Sequence, residues 1–438
     1  MERRDFITRS ALLAGSFSFL KFSDPLFAET IADQAEKIKH LTPAQSASDE
    51  DFWLYIRECF TVSSTLINLN NGGVSPQPKV VQDAHIRNYQ MSNEGPSYFM
   101  WRILDNGREP LRAKLAEYAG CSPDEIAINR NSTEGLNSII FGLNLKAGDE
   151  VVLSRYDYPN MMNAWKQREK RDGIKLVWVE LNLPMENDAD IVAAYTKAIT
   201  PKTKIVHITH MIHFNGQLVP AKAIADAAHA KGCEVIVDIA HSFAQIDFKI
   251  PDLGADYAAA SLHKWMHAPF GSGMLYIKKE KIKNIWALLS SVEPDSGDIR
   301  KFESLGTRSF ASEMAIANAV EFNLMVGTKR KEERLRYLKN YWCEKVQSLP
   351  NIKLSTSLKP QYSCALAHIG IEGWKGPEIE QKLFEKKKIH VVGVDYEKLS
   401  GVRITPSIYT STSDLDRLVD GLTEISKMPV PERKAVTK

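Results

Sequence analysis

The chain has 438 residues, 44% of them hydrophobic and 25% charged, enough for a large core and two domains. A net charge of +2 and a pI near 8.1, with both signs mixed along the chain, exclude the strong positive field by which a protein seeks nucleic acid. Five scattered cysteines (Cys59, Cys121, Cys233, Cys343, Cys364) without CxxC spacing exclude a disulfide framework and a cysteine zinc site, and fit small buried hydrophobes.

Arg3 and Arg4 precede an apolar stretch, residues 11–22, too short to span a bilayer. This reads as a twin-arginine export signal over 1–28, with a possible cleavage point near Ala28 and an N-terminal arm at 29–65. The expected product is exported already folded by the twin-arginine machinery. It is periplasmic, or membrane-anchored if the signal stays uncleaved.

An amphipathic helix is predicted over 51–60, then a short strand that breaks at the Asn70-Asn71-Gly72-Gly73 turn. Pro76 and Pro78 start a helix over 79–90. Residues 97–120 carry a helical pattern with Arg108, Arg112 and Lys114 on the polar side. A strand over 125–128 leads to Asn129-Arg130-Asn131-Ser132-Thr133-Glu134-Gly135 and a helix to 141. A hydroxyl pair at a helix N-terminus forms an anion site, because the first-turn N–H groups lack partners and the dipole is positive there. The competing reading makes Ser132 a simple N-cap.

From there strands at 150–154, 175–180, 203–209 and 234–238 alternate with helices at 161–171, 189–199 and 221–231. That alternation implies a mostly parallel sheet between helices, whose ligands sit beyond the strand C-termini. The polar residues at those ends are Tyr156, Asp157 and Tyr158; His210, His213 and Asn215; Asp238 and His241; and Ser261, His263 and Lys264. Any one histidine or tyrosine there could be a satisfied core residue. Lys264, after an apolar run, is the most unusual, because a buried ammonium is costly. An amine poised for Schiff-base chemistry needs such a lysine, and Asp238 could pair with a pyridinium nitrogen. A structural Lys264–Asp238 ion pair is the alternative.

Beyond 306 the pattern is a smaller α+β domain. It has long helices from 312 to 347, strands at 352–355 and 365–371, a helix at 377–387 and a strand at 389–394. A loop over 395–401, a strand at 402–405 and a helix at 413–427 complete it. Arg403 is either a surface cation or a fork for a carboxylate. The predicted domains are 66–305 and 306–438.

These residues resemble the class V, fold-type I, pyridoxal phosphate (PLP) enzymes, and most nearly the isopenicillin N epimerase-like branch. VDIAH, SLHKW with PFGSGMLY, LNNGGVSPQP, NRNSTEGLN and FESLGTR carry the resemblance. It implies an α/β fold of that type, PLP as cofactor and no metal. Lys264 would be the Schiff-base lysine and then the base at the α-carbon, and Asp238 the partner of the pyridine nitrogen. His241 would lie near the phenolic oxygen. Ser132, Thr133, Ser261 and His263 would hold the phosphate, and Tyr158 would stack on the ring. His213 stands where an Asn or Ser is common, a departure from the family. Gly306 and Thr307 match a loop that reaches the neighbouring subunit's phosphate, which implies a homodimer with shared active sites. Arg403 would bind the α-carboxylate of an amino-acid-like substrate.

Desulfurases of this family carry a nucleophilic cysteine shortly before that arginine, and residues 392–401 contain none. Cα chemistry remains: transamination or epimerisation first, C–S or other β-elimination as the alternative. A non-catalytic ligand-binding relative is disfavoured by intact Lys264 and Asp238. An NAD enzyme is disfavoured because no GxGxxG follows an early strand.

Overall fold

The computed structural model describes residues 33–432. The expected export signal lies outside them. Among the described residues no helix is long and apolar enough to cross a membrane.

Seven strands form the main sheet: β2 (Ile126–Asn129), β3 (Glu150–Ser154), β4 (Lys175–Val179), β5 (Thr203–Thr209), β6 (Glu234–Asp238), β7 (Tyr257–Ser261) and β8 (Gly273–Ile277). Their order is β2-β8-β7-β6-β5-β3-β4. β7, β6, β5, β3 and β4 run parallel, and β8 is antiparallel to both its neighbours. Apolar runs such as Val235-Ile236-Val237 are buried on both faces, as a parallel sheet under crossover helices requires. The C-terminal ends of β2, β3, β5, β6 and β7 therefore open on one edge.

A four-stranded antiparallel sheet lies in the C-terminal part, in the order β12 (Val392–Tyr396), β13 (Leu399–Ile404), β10 (Ala367–Ile371), β9 (Ile352–Leu354). The loop expected over 395–401 is instead the tip of the β12–β13 hairpin, with Asp395 opposite Ser400 and Tyr396 opposite Leu399. Glu, Lys, Ser and Gly read as turn residues, but the ladder absorbs all except Glu397 and Lys398. The strand expected over 389–394 is split as well. Its first part, β11 (Ile389–His390), pairs in parallel with β1 (Ile67–Asn68).

The helical pattern over 97–120 is interrupted. A π-helical turn, Phe99–Leu104, and a 3₁₀ turn, Asp105–Gly107, precede the regular helix Arg108–Ala119. Arg112, expected on the polar side, is 1% exposed. It donates to Glu303 and to the Ile126 carbonyl, while Glu303 accepts from the Ile128 N–H. This buried pair ties the helix to β2 close to the site. The long helix Phe310–Val326 packs on the helix Lys79–Glu94.

Candidate active site

Five strand ends and one strand of the smaller sheet deliver the site. Gly72, Asn131, Ser132, Thr133, Tyr158, Thr209, His213, Asp238, His241, Ser261, His263, Lys264 and Arg403 all line a single cavity of about 270 Å³. The structure brings together every expected site residue except Thr307, which is exposed on the loop before Phe310. Tyr156, His210 and Asn215 follow the same strand ends but turn away. Tyr156 packs edge-on to Phe214 and Tyr396. His210 packs edge-on to Phe248. Asn215 donates to the Ser355 carbonyl.

The anion end is built around the helix Ser132–Gly142. Its N-cap is Asn131, whose side chain accepts the Glu134 N–H, so Ser132 is not the cap. Instead the Ser132 N–H donates to Ser261 Oγ, and the two hydroxyls lie 2.8 Å apart. Two hydroxyls on adjacent elements thus meet at a helix N-terminus, where the dipole favours an anion. Gly273 allows this closeness: a Cβ there would lie 2.6 Å from the Asn131 nitrogen. His263 Nδ1 is held at 3.0 Å from the Ser272 carbonyl, fixing its ring at the same edge.

The lysine lies in the turn after β7. Its Nζ is 3.1 Å from His241 Nε2. Among the described residues it forms no ion pair, which sets aside the structural Lys264–Asp238 bridge. Burial pushes the ammonium down to about 8, with Asp238 pulling the other way and Arg403 adding to the drop. Burial also raises Asp238 above the usual carboxylate range, against the Ala240 N–H and the Lys264 charge. Its Oδ1 accepts from Ala240 at 2.9 Å. A buried carboxylate without a bonded cation is costly, so this one suits a protonated ring nitrogen.

Two histidines flank the lysine. The rings of His213 and His241 stack at 6.2 Å, and burial first, then the Lys264 and Arg403 charges, hold both well below the ordinary histidine range. Nδ1 of each is buried without a partner among the described residues. Tyr158 meets His213 edge-on at 5.1 Å, and Lys264 Nζ stands 5.9 Å from the Tyr158 ring centroid. Arg403 donates to the His213 carbonyl and to Asn70 Oδ1. Burial lowers it to about 10, so it stays charged, and its Nε has no partner among the described residues.

Sequence reasoning gave no role to Asn70, Asn131 or Thr209, and named Asp157 only as one of the polar residues at a strand end. Asn70 read as a turn residue, and Asn131 as part of the segment that opens the helix. Thr209 donates from its hydroxyl to Asp157 Oδ1 at 2.7 Å, and Asp157 Oδ2 accepts the Ser154 N–H. Burial pushes this carboxyl up to about 7.

The set fits PLP. Unsatisfied buried nitrogens, a carboxylate wanting a cation, a hydroxyl-lined helix start and a depressed amine match a ring nitrogen, a phosphate and an aldehyde. The thiols do not join them. Cys364 is fully buried, and burial pushes it up to about 12.

The profile of the family "Aminotransferase class-V" matches residues 67–418. The isopenicillin N epimerase of Amycolatopsis lactamdurans is 26% identical over 394 residues, covering 86% of this chain and 99% of that one. A probable cysteine desulfurase of Synechocystis sp. is 27% identical over 333 residues, covering 72% and 78%. Among solved structures, a mutant of C-DES with glycine covalently linked to its PLP cofactor superposes with a TM-score of 0.75 at 22% identity, covering 84% and 99%.

Proposed function

The chain belongs to the class V aminotransferase family, a PLP enzyme of fold type I, and on that footing we propose that it inverts the α-carbon of an amino acid, as an epimerase. The observation that carries this reading is the lining of the cavity. A depressed lysine, a carboxylate and a guanidinium converge there, with no cysteine among them. The likeness to the Amycolatopsis lactamdurans epimerase over nearly its whole length supports it.

When bound, the cofactor supplies a carbonyl carbon for amines and a ring that takes up electrons released at the α-carbon. The protein's residues do the rest. Lys264 would hold the cofactor through Nζ and, once freed, would accept the α-proton at that atom. A value near 8 keeps a useful fraction of the amine neutral at physiological pH. Asp238 accepts a hydrogen bond from the ring nitrogen and favours its protonated form. Ser132, Thr133, Ser261 and His263 bind the phosphate, and Tyr158 covers the ring. His241 and His213, both neutral, orient toward the phenolic side. Arg403, braced by Asn70 and the His213 carbonyl, clamps the carboxylate and so fixes which bond at the α-carbon stands across the ring plane.

Elimination of a β-substituent is the second reading. The same thiol-free lining favours it, because such a reaction needs no protein nucleophile. Export by the twin-arginine route belongs to the proposal, supported by Arg3-Arg4 and the apolar stretch after them. A homodimer does too, supported by exposed Tyr98, Trp101 and Phe270.

The test is an amino-acid panel with and without a keto-acid acceptor, read by chiral chromatography. Inversion without an acceptor is the expected result. Keto product that needs the acceptor, or a β-eliminated product, would replace epimerisation by transamination or lysis.

A further inference from the structure

Inversion at carbon requires a proton to leave one face and another to arrive at the opposite face. If the protein is an epimerase, Lys264 accounts for one of these two protons. The second must reach the same atom from across the ring plane, and its carrier is a question that arises only on the epimerase reading.

Tyr158 is placed for this. Lys264 Nζ stands over the face of its ring, 5.9 Å from the centroid. Both side chains line the cavity, so a flat ligand that enters between them would have the amine on one side and the phenol on the other. Tyr158 and Arg403 line the same cavity. The carboxylate that Arg403 would fix is bonded to the α-carbon, so that carbon stays within the cavity that Tyr158 lines. His213, edge-on at 84° and itself packed on Phe214 at 3.7 Å, keeps the phenol ring from turning away.

The local backbone also favours a use for this side chain. Tyr158 occupies the N-cap of the helix Pro159–Asp172 and makes no side-chain cap bond. Ser, Thr, Asp or Asn at such a position would bond to the first-turn N–H groups and stabilise the helix. The chain forgoes that and points a phenol into the cavity.

We propose that Tyr158 is a catalytic residue of the inversion, the proton carrier on the face opposite Lys264. In one direction Lys264 Nζ takes the α-proton and becomes an ammonium. The electron pair of the broken C–H bond forms the new C–H bond with the proton that Tyr158 Oη gives up on the other face. The resulting phenolate shares the cavity with the Arg403 guanidinium, and the ammonium and the phenolate re-equilibrate through solvent. In the other direction the two residues exchange roles. Protons and electrons balance, and no co-reactant is needed.

The test is Y158F, which keeps the ring and deletes the oxygen. The probes are the L and D forms of glutamate, methionine and phenylalanine in D₂O, followed by NMR at the α-carbon and by chiral analysis. Cofactor uptake by the cofactor-free protein is measured by absorbance titration. Expected for Y158F is uptake of the cofactor and a fall in inversion of about 10²–10⁴-fold, the span of general acid–base catalysis. Hydrogen exchange through Lys264 survives for one enantiomer alone, while wild type exchanges both. Inversion in Y158F within about three-fold of wild type overturns the proposal and leaves the epimerase reading standing. So does equal loss of exchange for both enantiomers together with lost cofactor uptake, which marks Tyr158 as a stacking residue. A wild type that exchanges the α-hydrogen and inverts none of the probes overturns both.

Discussion

Lys264 reaches His241, 3.1 Å from Nζ to Nε2, and not Asp238, the acid that lies on the neighbouring strand. An amine bonded to a neutral imidazole is free to react, whereas one locked to a carboxylate is held as an ammonium. Borohydride treatment of the cofactor-loaded protein should add the mass of one reduced cofactor, with the adduct on the peptide containing Lys264. K264A should show no adduct and no inversion. An adduct on another lysine would remove Lys264 from its role.

Asp238→Asn should keep the fold and weaken catalysis by about 10²–10³-fold, the usual effect of losing one preorganised charge. The side chains are nearly isosteric, and the Ala240 N–H can still donate to the amide oxygen. Turnover of D238N within a few-fold of wild type would show that the ring nitrogen does not need this carboxylate.

Arg403→Lys should raise KM for amino acids by about 10- to 100-fold, equivalent to about 1.5–3 kcal/mol for one charged hydrogen bond. A lysine cannot serve Asn70, the His213 carbonyl and a carboxylate with one planar fork. Cofactor affinity should change little, and a matching drop in cofactor affinity would place Arg403 in cofactor binding instead.

The cofactor-free protein should lose stability as pH falls below about 6.5. His207 and His210 are lowered by burial to about 4, and His213, His241 and His267 are lowered further. In this range the unfolded chain binds more protons than the folded one. Stability therefore rises with pH and drains away on acidification, at up to about 1.4 kcal/mol per pH unit for each histidine involved. Urea melts from pH 7 to pH 4.5 give the slope. A flat profile would mean that these histidines are already charged in the folded state.

Gly273→Ala should cost about 1–3 kcal/mol, because its Cβ would collide with the backbone nitrogen of Asn131. Displacing Asn131 moves Ser132 away from Ser261, so cofactor affinity should fall along with the melting temperature. Full affinity in a folded G273A would detach the hydroxyl pair from cofactor binding.

Much of this site was legible because strand ends leave strong marks. Asp238, Ser261 and Lys264 follow apolar runs that can only be buried strands, and the parallel alternation places their ends together. What stayed hidden depended on tertiary contacts. Asn70 supports Arg403 from a segment read as a turn, across 333 positions of chain. The N-cap reading of Ser132 stayed open beside the anion site because Asn131 next to it is chemically as good a cap, and only the structure gives that place to Asn131. The Glu397-Lys398 tip read as part of a longer loop, since charged residues on an edge hairpin carry no alternation to distinguish them from a turn.

The pairing of Ile67–Asn68 with Ile389–His390, together with the bond from Asn70 to Arg403, sets an order of events during synthesis. The early strand cannot find its partner, nor Arg403 its brace, until residues 389–403 have left the ribosome. A nascent chain shorter than that lacks Arg403 in its cavity wall, so the site is completed only after the residues of the main sheet have all been made.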